Sequence, residues 1–222
     1  MTSSPATPAD RSTGGEADAG HAGYGGHAGN AGNAGYGGHA GNAGNAGYVG
    51  VVGPGDGATA EQVGLARDVG QALGRRGSVV VTGGLGGVMA GAAQGCRAAG
   101  GLSVGLLPGR ERGAAGEHHT VVLPTGLGEL RNGLLVRVSD VVVAVGSSWG
   151  TLSEVALACR TGVPVVLLGW DADLLGGTDG PGRPPVRAGS VEEAIALVAH
   201  LLHQGESAAS SSAHTQPGPC PG

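Results

Sequence analysis

Six short runs of β-branched and aliphatic residues mark the middle of the chain, at Tyr48–Val52, Ser78–Thr82, Ser103–Leu107, Thr120–Leu123, Asp140–Val145 and Val163–Leu168. Several are apolar at nearly every position, as strands are when helices cover both of their faces. Helical patterns separate most of them. Thr59-Ala-Glu-Gln62 has the spacing of a capping box and predicts a helix that closes at Gly77, just behind Arg75 and Arg76. Further helices are predicted over Val88–Ala99, Leu127–Val138 and Thr151–Arg160, the last stopped by Gly162 and Pro164. A final helix opens at Ser190-Val-Glu-Glu193 and carries an apolar stripe of Val191, Ala194, Ile195, Val198, Leu201 and Leu202. Strands alternating with helices imply right-handed βαβ units: a single α/β domain with a doubly wound, mostly parallel, Rossmann-like sheet over residues 48–204.

The flanks read differently. Residues 1–47 lack hydrophobic periodicity and hold a Gly/Ala/Asn/His repeat that begins at His27 and recurs from His39. Such a repeat offers too little apolar surface to offset the entropy of ordering the backbone, so a disordered tail is expected. Residues 205–222, polar and Ser-rich, are expected to be a second disordered tail.

Composition removes several mechanisms. The 12 basic residues are all arginine, because the chain has no lysine. A Schiff base, a lysine general base and a P-loop lysine are therefore excluded. Net charge is -5, charged residues make up 13% and aromatics 2%, a poor composition for gripping nucleic acid; none is expected as a partner. No apolar run is long enough to cross a bilayer, so no membrane association is expected. Cys96, Cys159 and Cys220 show no CxxC spacing and read as reduced thiols of a cytoplasmic protein.

In an open parallel sheet, ligands bind beyond the carboxyl ends of the strands. The unusual residues fall there: Gly53-Pro-Gly-Asp-Gly57, Gly83-Gly-Leu-Gly-Gly87, Pro108-Gly-Arg-Glu-Arg-Gly113 and Gly146-Ser-Ser-Trp-Gly-Thr151. Glycine lets backbone N–H groups approach an anion, and the following helix N-terminus adds partial positive charge. A lysine-free protein holds phosphate in this way, with arginine assisting. Gly53, Gly55 and Ala58 fit the dinucleotide pattern G-x-G-x-x-[GA], but Pro54 removes one N–H and the second strand ends at Thr82 rather than at an acidic residue. His118 and His119 lack a third ligand in the sequence, which argues against a metal site.

Three stretches then resemble one family. Gly83-Gly-Leu-Gly-Gly-Val-Met89 is similar to the GGGxxGLM stretch of the LOG superfamily, proteins once mislabelled lysine decarboxylases. Leu127-Gly-Glu-Leu-Arg-Asn132 and Val145–Glu154 resemble its helix-borne arginine and its GGxGTxxE signature, in the same order and spacing. Leu123–Asn132 also resembles the LPTGLGxxRN stretch of the branch that contains molybdenum-cofactor carrier proteins. The resemblance implies a Rossmann-like phosphate-binding domain that forms homodimers or higher homo-oligomers.

It further implies a binding site for a phosphorylated small molecule, either a nucleotide or a pterin-type cofactor such as molybdenum cofactor. That site comprises Gly83, Gly84, Gly86, Gly87, Met89, Arg131, Asn132, Gly146, Ser147, Ser148, Gly150 and Thr151. The alternative it implies is a cytokinin riboside 5′-monophosphate phosphoribohydrolase with Arg131 and Glu154 as catalytic residues. Against that stand Asn132 in place of the family's lysine and a Gly146–Thr151 loop without its proline. Single-stranded DNA binding is a weaker third class. Thr151-x-x-Glu154 also has capping-box spacing, so both residues serve equally well as a helix start. Trp149 suits stacking on a ligand ring or packing against a second subunit.

Overall fold

The computed structural model describes residues 47–170 and 182–212. Its strands are β1 (Tyr48–Val52), β2 (Val79–Thr82), β3 (Ser103–Leu107), β4 (Val121–Pro124), β5 (Val141–Val145), β6 (Val165–Leu168) and β7 (Val186–Ala188). Its helices are α1 (Ala60–Arg75), α2 (Val88–Ala98), α3 (Arg131–Val138), α4 (Trp149–Thr161) and α5 (Val191–Ser212). The strands form one sheet in the order β4-β3-β2-β1-β5-β6-β7, and every neighbouring pair is parallel. The chain winds outward from β1 to β4, returns to the other side of β1 and winds outward again. Its direction reverses between β1 and β5, which opens a crevice at their carboxyl ends.

Alternation along each strand divides the core into two layers. Val49 and Val51 of β1, with Val141, Val143 and Val145 of β5, face α1, α2 and α5. Val52, Val142 and Ala144 face α3 and α4. Without phenylalanine the layers are filled by small aliphatic side chains, so helices must approach closely. Gly70 and Gly74 of α1 lie against Ala92 and Cys96 of α2, and Gly91 and Gly95 of α2 lie against Val63 and Arg67 of α1. A Cβ on Gly70 would strike the Ala92 carbonyl, and one on Gly95 the Arg67 carbonyl. Gly95→Ala should therefore destabilise, although alanine is the better helix former. Gly64 of α1 has open space around its Cβ position. Gly64→Ala should stabilise by up to about 1 kcal/mol. Thermal melting of the two variants should thus give shifts of opposite sign.

The capping box at Thr59 forms in full, and the one at Ser190 forms on its N-cap side, with Glu193 reaching one residue further back. Thr59 Oγ1 accepts the Gln62 N–H while Gln62 Oε1 accepts the Thr59 N–H. Ser190 Oγ accepts the Glu193 N–H, and the Glu193 carboxylate reaches back to the Gly189 N–H.

Four details depart from the sequence pattern. The seventh strand, β7, was not anticipated; it is short, exposed at Val186 and Arg187, and pairs at the sheet edge with β6. The expected helix over Leu127–Val138 begins as a 3-10 turn at Gly128–Leu130 and becomes α-helical only from Arg131. The fourth helix starts at Trp149, ahead of Thr151, because Ser148 is its N-cap. Helix α5 continues past Gln204, where the sequence suggested the domain ends, to Ser212. The expected N-terminal tail and the end of the C-terminal one, including Cys220, lie outside the described residues.

Candidate functional site

The loops after β1, β2 and β5 interlock at the crevice. Gly87, the residue before α2, has φ 60° and ψ −130°, a conformation open essentially to glycine alone. A Cβ there would strike the Pro54 and Gly55 carbonyls, and the Val88 N–H donates to the Pro54 carbonyl at 3.0 Å. Gly53 is equally confined, against the Val145 carbonyl and the Val88 side chain. Across the crevice, Ser148 Oγ accepts the Thr151 N–H at 3.1 Å and lies 2.8 Å from Thr151 Oγ1. Asn132 Nδ2 donates to Ser153 Oγ at 3.2 Å, and Ser153 Oγ donates to the Gly150 carbonyl at 2.7 Å. The N-termini of α3 and α4 are thereby held side by side.

Arg131 lies beneath this junction, only 9% exposed. It opens α3, where the helix dipole disfavours a cation, and a Cβ on Gly83 would strike its guanidinium. Its Nη1 is 3.6 Å from Glu154 Oε1, an ion pair too long for a hydrogen bond. Both Nε and Nη1 are buried without a hydrogen-bond partner. Buried donors of this kind are costly and uncommon, and a bound acceptor would satisfy them.

Glu154 is 5% exposed in the second turn of α4. The capping-box reading of Thr151-x-x-Glu154 is thus incorrect: Ser148 caps the helix, and Glu154 faces Arg131. Burial pushes the Glu154 carboxyl up to about 7, with the Arg131 charge opposing the rise. Burial also draws the Arg131 guanidinium downward against the Glu154 charge, yet a guanidinium stays protonated at any physiological pH. Near neutrality the site alternates between a neutral ion pair and a net positive charge.

The crevice holds a cavity of about 190 Å³ lined by Val52, Gly53, Gly55, Gly83, Leu85, Met89, Arg131, Asn132, Ser148, Gly150, Thr151 and Glu154. Of the residues singled out by sequence, Gly83, Met89, Arg131, Asn132, Ser148, Gly150, Thr151 and Glu154 line it. Gly84, Gly86, Gly87, Gly146 and Ser147 do not. Gly87 locks the β1 loop, as described. Gly84 turns the β2 loop at φ 78°, and Gly146 packs at φ 67° against the Gln62 amide. Gly86 faces open space and Ser147 is exposed. The resemblance did not mark Val52, Gly53, Gly55 and Leu85. The glycine-rich character of the loop after β1 was the available signal for Gly53 and Gly55. Among the described residues, no group of three or more His, Cys, Asp or Glu is arranged to hold a metal ion.

The family model of the SLOG cluster4 family matches residues 46–195, which spans the whole sheet and the start of α5. The chain belongs to the SLOG cluster4 family. An uncharacterized protein of Archaeoglobus fulgidus is 38% identical over 104 residues, 47% of this chain and 68% of that one. Two solved structures are also similar to this SLOG chain. The molybdenum cofactor binding protein of Rippkaea orientalis has 37% identity and a TM-score of 0.67, covering 71% of this chain and 98% of its own. The molybdenum cofactor carrier protein of Chlamydomonas reinhardtii has 35% identity and a TM-score of 0.65, covering 72% and 99%. A DNA processing protein A from Helicobacter pylori, 17% identical with a TM-score of 0.50, shares the fold alone.

Proposed function

We propose that the crevice binds the phosphate end of a pterin-type cofactor, molybdenum cofactor foremost, and that the protein carries this ligand rather than transforming it. The observation that bears the reading is Arg131, a buried cation with two donors left without partners at the topological switch point. A phosphate fits this donor set: two guanidinium N–H groups below, glycine backbone on one side, and the Ser148 and Thr151 hydroxyls at a helix N-terminus on the other. The cavity matches the head of such a molecule, so the ring system would extend across the open mouth. The similarity to cofactor-binding and carrier proteins supports the pterin over a nucleotide. Two free thiols, Cys96 and Cys159, accord with a cytoplasmic setting. No described helix is long and apolar enough to cross a membrane.

A melting series tests the reading. A pterin phosphate at a hundred times its dissociation constant should stabilise the fold by about 2.7 kcal/mol. That corresponds to roughly 5–10 °C in melting temperature for a domain of this size. AMP or GMP acting more strongly would move the ligand class to nucleotides, and no shift with any of the three would overturn the reading.

One observation favours a hydrolase as the second reading. Glu154 is a buried carboxyl held near pH 7, as suits a general acid or base, beside a substrate-orienting cation.

The chain is proposed to act as a homodimer. Leu130 in the turn before α3 and Leu134 and Val138 on α3 recur at four-residue spacing, exposed by 78%, 37% and 40%, with Leu127 exposed just before them. Val121 and Leu123 of edge strand β4 are also exposed, and register places Leu123 beside Leu106, on the α3 side of the sheet. A second copy would cover these exposed apolar residues. Glu at both Leu130 and Leu134 should convert the assembly to monomers in analytical ultracentrifugation; an unchanged dimer would refute this interface.

A further inference from the structure

The structure assigns to His119 a positioning role: through Thr82 it fixes the Gly84 turn of the loop that lines the phosphate crevice. This inference rests on the proposed function only where it concerns phosphate affinity.

Thr82 ends β2 and is fully buried. Its Oγ1 accepts the Gly84 N–H at 3.1 Å and lies 2.7 Å from His119 Nε2. The Gly116 carbonyl is an acceptor only, so the ring carries its proton on Nδ1, 3.1 Å away. In the neutral ring Nε2 is then an acceptor, and the Thr82 hydroxyl donates to it. One neutral tautomer satisfies every group in the chain.

The same segment returns to the loop. The Gly116 N–H donates to the Gly84 carbonyl at 2.8 Å, so Gly84 is held at both its N–H and its C=O. A Cβ on Gly116 would strike the Leu85 carbonyl, and Gly83 and Leu85, on either side of Gly84, line the cavity. His118, next to the ring, is held at φ 78°, the one non-glycine residue with positive φ among those described. Backbone strain of this kind persists where the surroundings over-determine the turn. The connection between β3 and β4 thus braces the β2 loop, through the imidazole on one side of Gly84 and the Gly116 N–H on the other.

Protonation reverses the chain. A second ring proton on Nε2 would face Thr82 Oγ1, and the buried hydroxyl proton would lose its acceptor. β2 and β3 meet the ring with Thr82 and Gly105, which do not titrate; its own turn contributes His118, which pairs with Glu117 at 3.7 Å. Burial holds the ring below the ordinary histidine value, and His118 adds to that. The brace is therefore fully satisfied at neutral pH and weakened in acid, where the buried Thr82 hydroxyl proton has no acceptor.

The test compares the unaltered protein with His119→Gln and His119→Phe between pH 7 and pH 4.5. Glutamine can place an amide oxygen near Nε2 and does not titrate; phenylalanine removes the acceptor. Amide exchange at Gly84, corrected for intrinsic rates, should lose about tenfold of its protection as acid protonates His119 in the unaltered protein. In His119→Gln the step should vanish, and in His119→Phe protection should be low throughout. Inorganic phosphate affinity should follow: the ratio of unaltered to His119→Gln, which cancels the titration of phosphate and of Glu154, should fall about tenfold across the same range. A Gly84 step that persists in His119→Gln, or a flat affinity ratio where phosphate does bind, overturns the assignment while the proposed function stands. If phosphate binds none of the proteins, the proposed function falls, and Gly84 protection alone decides the role of His119.

Discussion

Arg131→Met should weaken phosphate-ligand binding by at least about 100-fold while leaving the fold intact. Methionine keeps an unbranched stem but removes the guanidinium that lies against Gly83, and with it Nε and Nη1, the two buried donors without partners. Each charge-assisted hydrogen bond lost is worth about 1.5–3 kcal/mol, and two such losses give that factor or more. Removing one member of a buried ion pair often costs about 3–5 kcal/mol, because the other charge is left alone. Here Glu154 already titrates near 7 and can keep its proton. The stability loss of Arg131→Met should therefore be small at pH 6 and grow as pH rises. Titration calorimetry with the ligand, together with melting at both pH values, checks the two parts separately. An affinity that changes less than tenfold would remove Arg131 from the site.

Glu154 produces the second large effect. Its carboxyl is raised from the ordinary 4.5 to about 7 by burial. A carboxyl raised on folding contributes stability that is fully present below 4.5 and is lost as pH rises through 7, because the unfolded chain ionises freely across that window while the native chain does not. The shift corresponds to on the order of 3 kcal/mol, or roughly 10 °C of melting temperature. Glu154→Gln should flatten this component, so the difference between the two melting curves plotted against pH isolates it. A phosphate ligand should also bind the unaltered protein more tightly below pH 7 than above, since the protonated carboxyl leaves Arg131 uncompensated. The same variant separates carrier from hydrolase. We expect no free base from a nucleoside 5′-monophosphate with either protein. Release by the unaltered protein and not by Glu154→Gln would establish the hydrolase, because an amide cannot replace the carboxylate in proton transfer.

Much of this was legible in the sequence, for physical reasons. Strands β1 to β6 are apolar at nearly every position, which is a local signal; the helix caps at Thr59 and Ser190 are local too. β7 was not legible, because a three-residue edge strand with Arg187 at its centre, following two prolines, has the composition of a loop. The start of α4 was misread for a related reason. Thr151-x-x-Glu154 satisfies the local pattern, but what fixes Glu154 is burial against Arg131, twenty-three positions away in sequence and on another helix. His119 shows the same limit from the other side: as a metal ligand it lacks partners, and its bonds to Thr82 and Gly116 depend on how β2, β3 and β4 are laid side by side. Glycine signals were half legible. They mark the crevice, yet Gly87 serves a backbone approach and Gly146 packs against the Gln62 side chain, and neither forms the cavity wall.

The most direct test of the central claim is native mass spectrometry of the protein purified from its own host, beside Arg131→Met purified in the same way. The account predicts a retained phosphorylated pterin on the unaltered chain, one per protomer, and none on Arg131→Met. An equal load on both proteins, or a retained ligand that bears no phosphate, would contradict it.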